Sequence, residues 1–224
     1  MENYSDYIVP IYTAKNEQSF SGTGFVLNDI LITAGHVPHP DDYIFIKVGD
    51  KFILRAIYDL IRIVRPGAVA DGDNPDIAIY HIPGVESPLE LATELPSEKD
   101  VLTNICWLKT PLGLKQITSE CRLFGNSSTD LKDKTFFQFC PDNRLTHGSS
   151  GSPLLIGNKV YGMLVIGTEH YKLTQEGNEA LKQSFSEKEI EQYIAIMQHI
   201  CTAKNALFIQ EQIKLGSNRL SFQT

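Results

Sequence analysis

The feature that most restricts the fold of this sequence is a succession of short, strand-forming runs separated by turn residues, without intervening helical periods. We predict twelve strands, at residues 7–13, 24–27, 30–33, 43–48, 52–58, 61–64, 77–82, 101–108, 116–124, 135–139, 153–156 and 160–166. So many short strands predict an all-β fold of barrels or a sandwich. A chain of 224 residues with this pattern commonly forms a single domain.

The last part of the sequence changes character. Ser186 and Glu189 have the spacing of a capping box, which marks the start of a helix. Apolar residues then recur at helical spacing through Cys201. We therefore predict an amphipathic helix that packs its apolar face on the β domain. The tail after Cys201 either extends this helix or forms another.

Composition excludes several classes of function. The chain carries 20 Lys and Arg against 27 Asp and Glu, and no basic run stands out, which argues against nucleic-acid or anionic-membrane partners. No apolar run has the length of a membrane span, and the acidic N-terminal residues do not resemble a signal peptide. The four cysteines lack metal-site spacing. We therefore expect a cytoplasmic protein with free thiols and no cofactor.

The segment 145–155 contains the candidate nucleophile, Ser150, within a run of Gly, Ser and Pro. Small neighbours allow a tight turn that exposes a serine hydroxyl and directs backbone N–H groups outward. The same composition is equally typical of a simple loop. The choice between the two depends on the rest of the chain.

A serine nucleophile needs a base within hydrogen-bond reach, and the base needs a group that fixes its tautomer. Of six histidines, His36 is favoured because a predicted hairpin of strands leads directly into it through small residues. Asp76 is favoured as its partner because it begins an apolar strand. Asp71 and Asp73 lie in a Gly/Asn/Pro-rich stretch, where a turn role is favoured.

The order His36, Asp76, Ser150 is that of chymotrypsin-like enzymes. The segments 21–37 (SGTGFVLNDILITAGHV), 76–80 (DIAIY) and 148–155 (GSSGSPLL) resemble those around the base, acid and nucleophile of chymotrypsin-fold, trypsin-like serine peptidases. The sequence is more similar to bacterial glutamyl-endopeptidase-like domains than to animal trypsins.

This resemblance implies two six-stranded antiparallel β-barrels with a C-terminal amphipathic α-helix. Within one peptidase domain, 1–224, we expect an N-terminal barrel at about 7–95 and a C-terminal barrel at about 100–185, with the helix and tail at 186–224. Residues 178–182 resemble the closing strand of the family, and the tail lies outside the resemblance.

The resemblance also implies the functional residues of a serine endopeptidase that acts on a protein or peptide. Its triad is His36, Asp76 and Ser150, and the N–H groups of Gly148 and Ser150 form the oxyanion hole. The expected substrate-binding residues are Arg144, Thr146, His147, Val165 and Gly167. With no carboxylate at the pocket floor, cleavage after Arg or Lys is disfavoured, and acidic, amide, small or apolar side chains stay open.

The sequence departs from animal trypsins at Val37 and Ser149, where those enzymes carry cysteine and aspartate. The missing aspartate makes trypsin-type zymogen activation unexpected. A catalytically silent protease-like domain that binds a protein partner is the alternative function, and a regulatory protein partner is compatible with either. A metal site of His36 and His39 with Asp41 or Asp42 is a weaker alternative.

Overall fold

The computed structural model describes residues 4–38, 43–48, 51–56, 60–64, 76–124, 136–167, 175–197 and 199–220. Its strands, in chain order, are β1 Ile8–Tyr12, β2 Phe20–Leu27, β3 Ile30–Thr33, β4 Tyr43–Val48, β5 Lys51–Ala56, β6 Leu60–Val64, β7 Ile77–His81, β8 Glu90–Leu91, β9 Val101–Thr110, β10 Gly113–Leu123, β11 Phe136–Pro141, β12 Pro153–Ile156, β13 Lys159–Ile166 and β14 Cys201–Asn205. Each of the twelve predicted strands is present; β3, β4 and β12 have the predicted ends, and the other nine have shifted ends. The two that were not predicted are β8 and β14.

The N-terminal strands form a seven-stranded sheet in the order β5-β4-β1-β2-β3-β7-β6. Every pairing in it is antiparallel. Along β2 almost every residue is buried on both faces, because the sheet curves around its own core. Among the described residues β5 and β6 do not pair, so this sheet has the form of a half-barrel.

The C-terminal strands β12, β9, β10, β11, β14 and β13 form a sheet that a β12–β13 pairing closes into a six-stranded barrel. The short strand β8 adds to it in parallel beside β13. A mostly β chain with a closed C-terminal barrel confirms the predicted fold class. Closure also removes the free strand edges that promote aggregation.

The helices are α1 Gln175–Lys182, α2 Glu187–Met197 and α3 Ala206–Leu220. The capping box is confirmed at the start of α2, where the backbone N–H of Ser186 donates to Glu189 Oε2 at 2.8 Å and the backbone N–H of Glu189 donates to Ser186 Oγ at 3.4 Å. The Ser186 hydroxyl, which donates to Glu189 Oε2 at 2.6 Å, and the Ser186 backbone N–H together lower the pKa of Glu189. None of the described helices is long and apolar enough to cross a membrane.

Two expectations for the end of the chain were wrong. Residues 178–182, expected to resemble the closing strand, belong to α1, since Glu, Ala, Leu and Lys favour a helix. The barrel strand is instead β14, which pairs with β11 and β13 and lies in the segment expected to be a tail. The barrel therefore extends past residue 185.

The helix that spans both sheets is α3. It packs against β6 of the N-terminal sheet and against β13 and β14 of the barrel. Asn205 caps the N-terminus of α3, since its Oδ1 accepts a hydrogen bond from the Phe208 N–H at 2.9 Å. Phe208 and Ile209 are buried and belong to the apolar cluster that fills the N-terminal sheet. The tail after Cys201 thus helps to hold the two sheets together.

Candidate active site

The pairing of β3 with β7 brings His36 and Asp76 together. Thr33, the last residue of β3, pairs with Ala78 in antiparallel register. The chain leaving β3 therefore runs alongside the chain entering β7. His36, three residues after Thr33, lies next to Asp76, two residues before Ala78. A tight turn, in which the N–H of Val37 donates to the carbonyl of Ala34 at 3.1 Å, directs the imidazole to this edge.

Asp76 holds His36 by two hydrogen bonds. The backbone N–H of His36 donates to Asp76 Oδ1 at 2.9 Å, and the ring Nδ1 lies 2.8 Å from Asp76 Oδ2. The Asp76 side chain is buried, at 9% exposure, whereas the His36 side chain is 39% exposed. Because an ionised carboxylate only accepts hydrogen bonds, Nδ1 carries the proton and Nε2 presents a lone pair. His36 can therefore act as a base.

The loop that carries Ser150 is attached to β2, next to the turn with His36. The N–H of Thr23 donates to the carbonyl of Ser150 at 2.9 Å. Gly151, at φ +85°, is so close to this hairpin that a Cβ would lie 2.9 Å from the N of Ala34 and in collision with Thr23. Only glycine fits there. The close approach brings Ser150 beside the chain that leads into His36.

Two N–H groups of this loop are unused. Ser149 N–H donates to the Thr146 carbonyl at 3.0 Å, and Gly151 N–H donates to the Leu164 carbonyl at 2.8 Å. The N–H groups of Gly148 and Ser150 donate to no described residue. Gly148 has a φ of +105°, which favours glycine, and this conformation forms part of the turn. Both donors are thus available to a negatively charged oxygen.

The Ser150 hydroxyl forms no hydrogen bond with any residue that the structure describes, so its bond to the imidazole is not made. Such bonds are often long in unliganded enzymes and tighten when substrate binds. The imidazole–carboxylate bond, in contrast, is fully formed. The site therefore holds an oriented imidazole and, on the neighbouring loop, a serine hydroxyl without a partner among the described residues.

The residues expected to bind substrate lie around the Ser150 loop. Arg144 and His147 are exposed and Thr146 is half-buried. Gly167 follows β13, and a Cβ on it would lie 2.7 Å from the carbonyl oxygen of Leu145, so it borders the segment 144–147. The Val165 side chain is buried in the apolar cluster that fills the N-terminal sheet.

The other candidate residues do not join this site or lie outside the described residues. His81 and His199 are exposed. His39, Asp41, Asp42, Asp71 and Asp73 lie outside the described residues, so the metal alternative and the turn roles of the two aspartates stay predictions. Within the described ranges, no group of three or more His, Cys, Asp or Glu side chains could hold a metal ion.

Sequence reasoning missed two side chains that support the Ser150 loop. The Thr23 hydroxyl donates to the Gly148 carbonyl at 2.8 Å and accepts the Trp107 N–H at 2.9 Å. The ring of Phe20 packs against Gly148, where a Cβ would lie 2.5 Å from it. The sequence around Thr23 does not mark it, because Ser21 is a second hydroxyl residue in β2 and only the structure shows that Thr23 is fully buried and needs hydrogen-bond partners.

No protein-family model matches the chain, and no curated protein sequence matches it. Solved structures do. The active form of the Rv3671c protease from M. tuberculosis superimposes with a TM-score of 0.60 at 17% identity, over 94% of this chain and 81% of that one. This chain has the chymotrypsin-like fold.

Two further structures with the chymotrypsin-like fold agree. The inactive form of the Rv3671c protease gives a TM-score of 0.58 at 16% identity and covers 94% of this chain and 89% of that one. The serine endoprotease of Yersinia pestis gives 0.52 at 16% identity, over 74% of this chain and 58% of its own. The predicted resemblance in fold is therefore confirmed.

Proposed function

We propose that this chain is a serine endopeptidase that hydrolyses protein or peptide substrates. One observation carries the proposal. The N–H groups of Gly148 and Ser150 have no partner among the described residues, on a loop that glycine fixes against the segment leading into His36, while the His36 ring is already bonded to buried Asp76. A base, its orienting carboxylate, a hydroxyl and two oxyanion donors are the groups that acyl transfer requires.

The proposed reaction begins when Ser150 Oγ attacks the scissile carbonyl carbon. Its proton moves to Nε2 of His36, and the imidazolium is stabilised by Asp76, which stays ionised. The carbonyl oxygen becomes negatively charged and accepts hydrogen bonds from the N–H groups of Gly148 and Ser150. Collapse of this intermediate breaks the C–N bond, and His36 gives its proton to the leaving amine.

The ester left on Ser150 is hydrolysed by water in a second step. His36 takes a proton from the water as it attacks the ester carbonyl, and the same two N–H groups again bind the oxyanion. The C–O bond then breaks, the proton returns from His36 to Ser150 Oγ, and the product leaves as a carboxylic acid that loses its proton to solvent. The enzyme is restored without a cofactor.

For the specificity pocket, we propose Arg144, Thr146 and His147 on one wall and Val165 and Gly167 on the other. No carboxylate lies in the segment 144–147, so nothing there would bind the charge of Arg or Lys. Donors at Arg144 and His147 suit an acidic or amide side chain, and the apolar wall at Val165 suits a small or apolar one. A peptide-library profile dominated by basic residues at the scissile position would contradict this pocket.

The test of the proposed function is Ser150→Ala, with labelling by a fluorophosphonate probe as the first measurement. Wild type is expected to be labelled at Ser150, whereas the variant is not. The rate of hydrolysis is expected to fall by about 10⁶-fold, because alanine lacks the hydroxyl that attacks the substrate. Ser149→Ala is the matched control, since the Ser149 hydroxyl donates to the Thr146 carbonyl and not into the site.

The alternative function, a catalytically silent domain that binds a protein partner, predicts the opposite result. Its basis is the unmade bond between the Ser150 hydroxyl and His36. A wild-type protein that the probe does not label, or a Ser150→Ala variant that keeps more than about a tenth of the hydrolytic rate, would contradict the endopeptidase. If the probe does label wild type, its substrates can be identified by comparing the new protein N-termini produced by wild type and by Ser150→Ala.

A further inference from the structure

We infer that Thr23 is the positioning residue of the oxyanion hole, and that its side-chain hydroxyl holds the Ser150 loop in the conformation that acyl transfer needs. This inference rests on the proposed function and deepens it. Thr23 lies in the middle of β2, with no exposed surface, and touches the loop rather than the substrate. Nothing in its sequence position alone distinguishes it as functional.

Four hydrogen bonds meet at Thr23. Its hydroxyl donates to the Gly148 carbonyl at 2.8 Å and accepts the Trp107 N–H at 2.9 Å. Its backbone N–H donates to the Ser150 carbonyl at 2.9 Å, and its carbonyl accepts the Thr33 hydroxyl at 2.7 Å. One residue thus joins the Ser150 loop, strand β9 of the barrel and the hairpin that leads to His36.

These bonds fix the peptide groups on both sides of the Ser150 N–H. In the Gly148–Ser149 peptide, Thr23 Oγ1 holds the carbonyl and the Thr146 carbonyl holds the N–H. In the Ser150–Gly151 peptide, the Thr23 N–H holds the carbonyl and the Leu164 carbonyl holds the N–H. The Ser149–Ser150 peptide between them has its carbonyl bonded to the Ser152 N–H, so only its own N–H is free.

The hydrogen bond from the Thr23 hydroxyl to the Gly148 carbonyl contributes most to the loop conformation. Gly148 has a φ of +105° and no side chain, so the peptide after it can rotate once its carbonyl is released. Without the hydroxyl, the Gly148 carbonyl and the Trp107 N–H would both be buried without a partner, which favours such a rotation. The N–H groups of Gly148 and Ser150 belong to the two peptides that adjoin this one, so its rotation would displace both donors from the carbonyl under attack.

The experiment compares full-length wild type with Thr23→Val, which keeps the size and β-branching but removes the hydroxyl, and with Thr23→Ser, which keeps the hydroxyl. Loss of one oxyanion donor costs about 10²- to 10³-fold in kcat. For a displaced donor we expect Thr23→Val to lower kcat on p-nitrophenyl acetate and the rate of fluorophosphonate labelling by about 10- to 100-fold. KM should stay within about twofold, because Thr23 does not touch substrate.

Ser87→Ala is the matched control. Like the Thr23 hydroxyl, the Ser87 hydroxyl donates to a backbone carbonyl, that of Val26 at 2.7 Å, and accepts a backbone N–H, that of Leu89 at 3.2 Å. These bonds lie at the C-terminal end of β2 and do not involve the Ser150 loop. We expect Ser87→Ala and Thr23→Ser to keep labelling rates within about threefold of wild type. If Thr23→Val does not fold, Thr23→Cys, whose thiol is a weak donor, should give a rate between those of Thr23→Ser and Ser150→Ala.

Hydrogen exchange of the peptide containing residues 146–152 provides a readout that needs no activity. Thr23→Val should speed this exchange, whereas Thr23→Ser and Ser87→Ala should not. Unchanged exchange in Thr23→Val, or a labelling rate within about threefold of wild type, would overturn the inference. If wild type is not labelled at all but Thr23→Val still speeds exchange, the proposed function fails while the role of Thr23 in holding the loop stands.

Discussion

Among single residues, Asp76 has the most demanding setting. It is buried, it accepts two hydrogen bonds from His36, and its φ of +33° lies in the left-handed region. Asparagine and aspartate adopt this region more readily than other residues with a side chain. Asp76→Asn therefore keeps the backbone conformation and isolates the effect of the charge.

We expect Asp76→Asn to lower kcat by about 10⁴-fold, as for the aspartate of other Ser-His-Asp triads. The asparagine amide cannot accept from Nδ1–H when its NH₂ group faces the ring, so the imidazole adopts the wrong tautomer. Steady-state kinetics and thermal unfolding measure the two effects. Asp142→Asn changes the net charge by the same amount at an exposed position, and it should leave kcat unaltered. A loss of less than about tenfold in Asp76→Asn would contradict the role of Asp76.

The sequence indicated His36, Asp76 and Ser150 because the residues next to each of them in the chain are small or apolar, which marks a turn or a strand end. It did not indicate Thr23, whose hydroxyl bonds to residues 84 and 125 positions away. Local composition reports on a turn or a strand, whereas a hydrogen bond between distant segments depends on the completed fold. The pairing of His36 with Asp76 was therefore more predictable than the hydrogen bonds that support the Ser150 loop.

Among the elements, α3 is the one whose role was least apparent from the sequence. Its Gly216 packs on β6, where a Cβ would collide with the side chain of Ile61 and lie 2.8 Å from its carbonyl oxygen. Replacement of glycine by alanine in a helix usually stabilises by about 1 kcal/mol. Overpacking against a backbone atom costs about 1–3 kcal/mol, so here the sign should reverse.

We therefore expect Gly216→Ala to lower the free energy of unfolding by up to about 2 kcal/mol, measured by urea denaturation. Ser217→Ala, at the adjacent exposed position of the same helix, should be neutral or slightly stabilising, since it gains propensity without meeting β6. An increase in stability for Gly216→Ala would show that α3 does not pack closely on the N-terminal sheet.

Strand β14 was not predictable because its sequence, CTAKN, lacks the alternation of a strand. Its residues are all buried, including Lys204, whose ammonium lies 5.7 Å from the ring centroid of Phe136 and 5.3 Å from that of Phe208. Cation–π contact with two rings compensates part of the cost of burying the charge. Pairing with β11 and β13 determines this strand, and pairing is a property of the barrel rather than of five residues.

For the molecule as a whole, twelve of the fourteen strands described and the all-β character followed from hydrophobic alternation and turn residues. The order of the three functional motifs then indicated the chymotrypsin-like arrangement. Closure of the barrel by β12 and β13 did not follow, because any of several strand pairings would satisfy the same alternation. The sequence therefore determined the class of fold more closely than the boundaries of its barrel.

The core of the C-terminal barrel contains three buried thiols, and these make the stability of the whole molecule depend on alkaline pH. Burial raises the pKa of Cys106 from an ordinary 9.0 to about 12 and that of Cys121 to about 12 as well. Burial also raises the pKa of Cys201. The pKa of Cys140, at the surface of the barrel, is raised less strongly by its partial burial.

Because the pKa values of Cys106 and Cys121 are higher in the folded state than in the unfolded one, their contribution is present below pH 9.0 and is lost as the pH rises toward about 12. In that window each thiol lowers the free energy of unfolding by up to about 1.4 kcal/mol per pH unit. We expect the urea midpoint to fall steeply above about pH 9. Cys106→Ala should be less stable at neutral pH but show a shallower alkaline slope, and an unchanged slope would mean that this thiol ionises in the folded barrel.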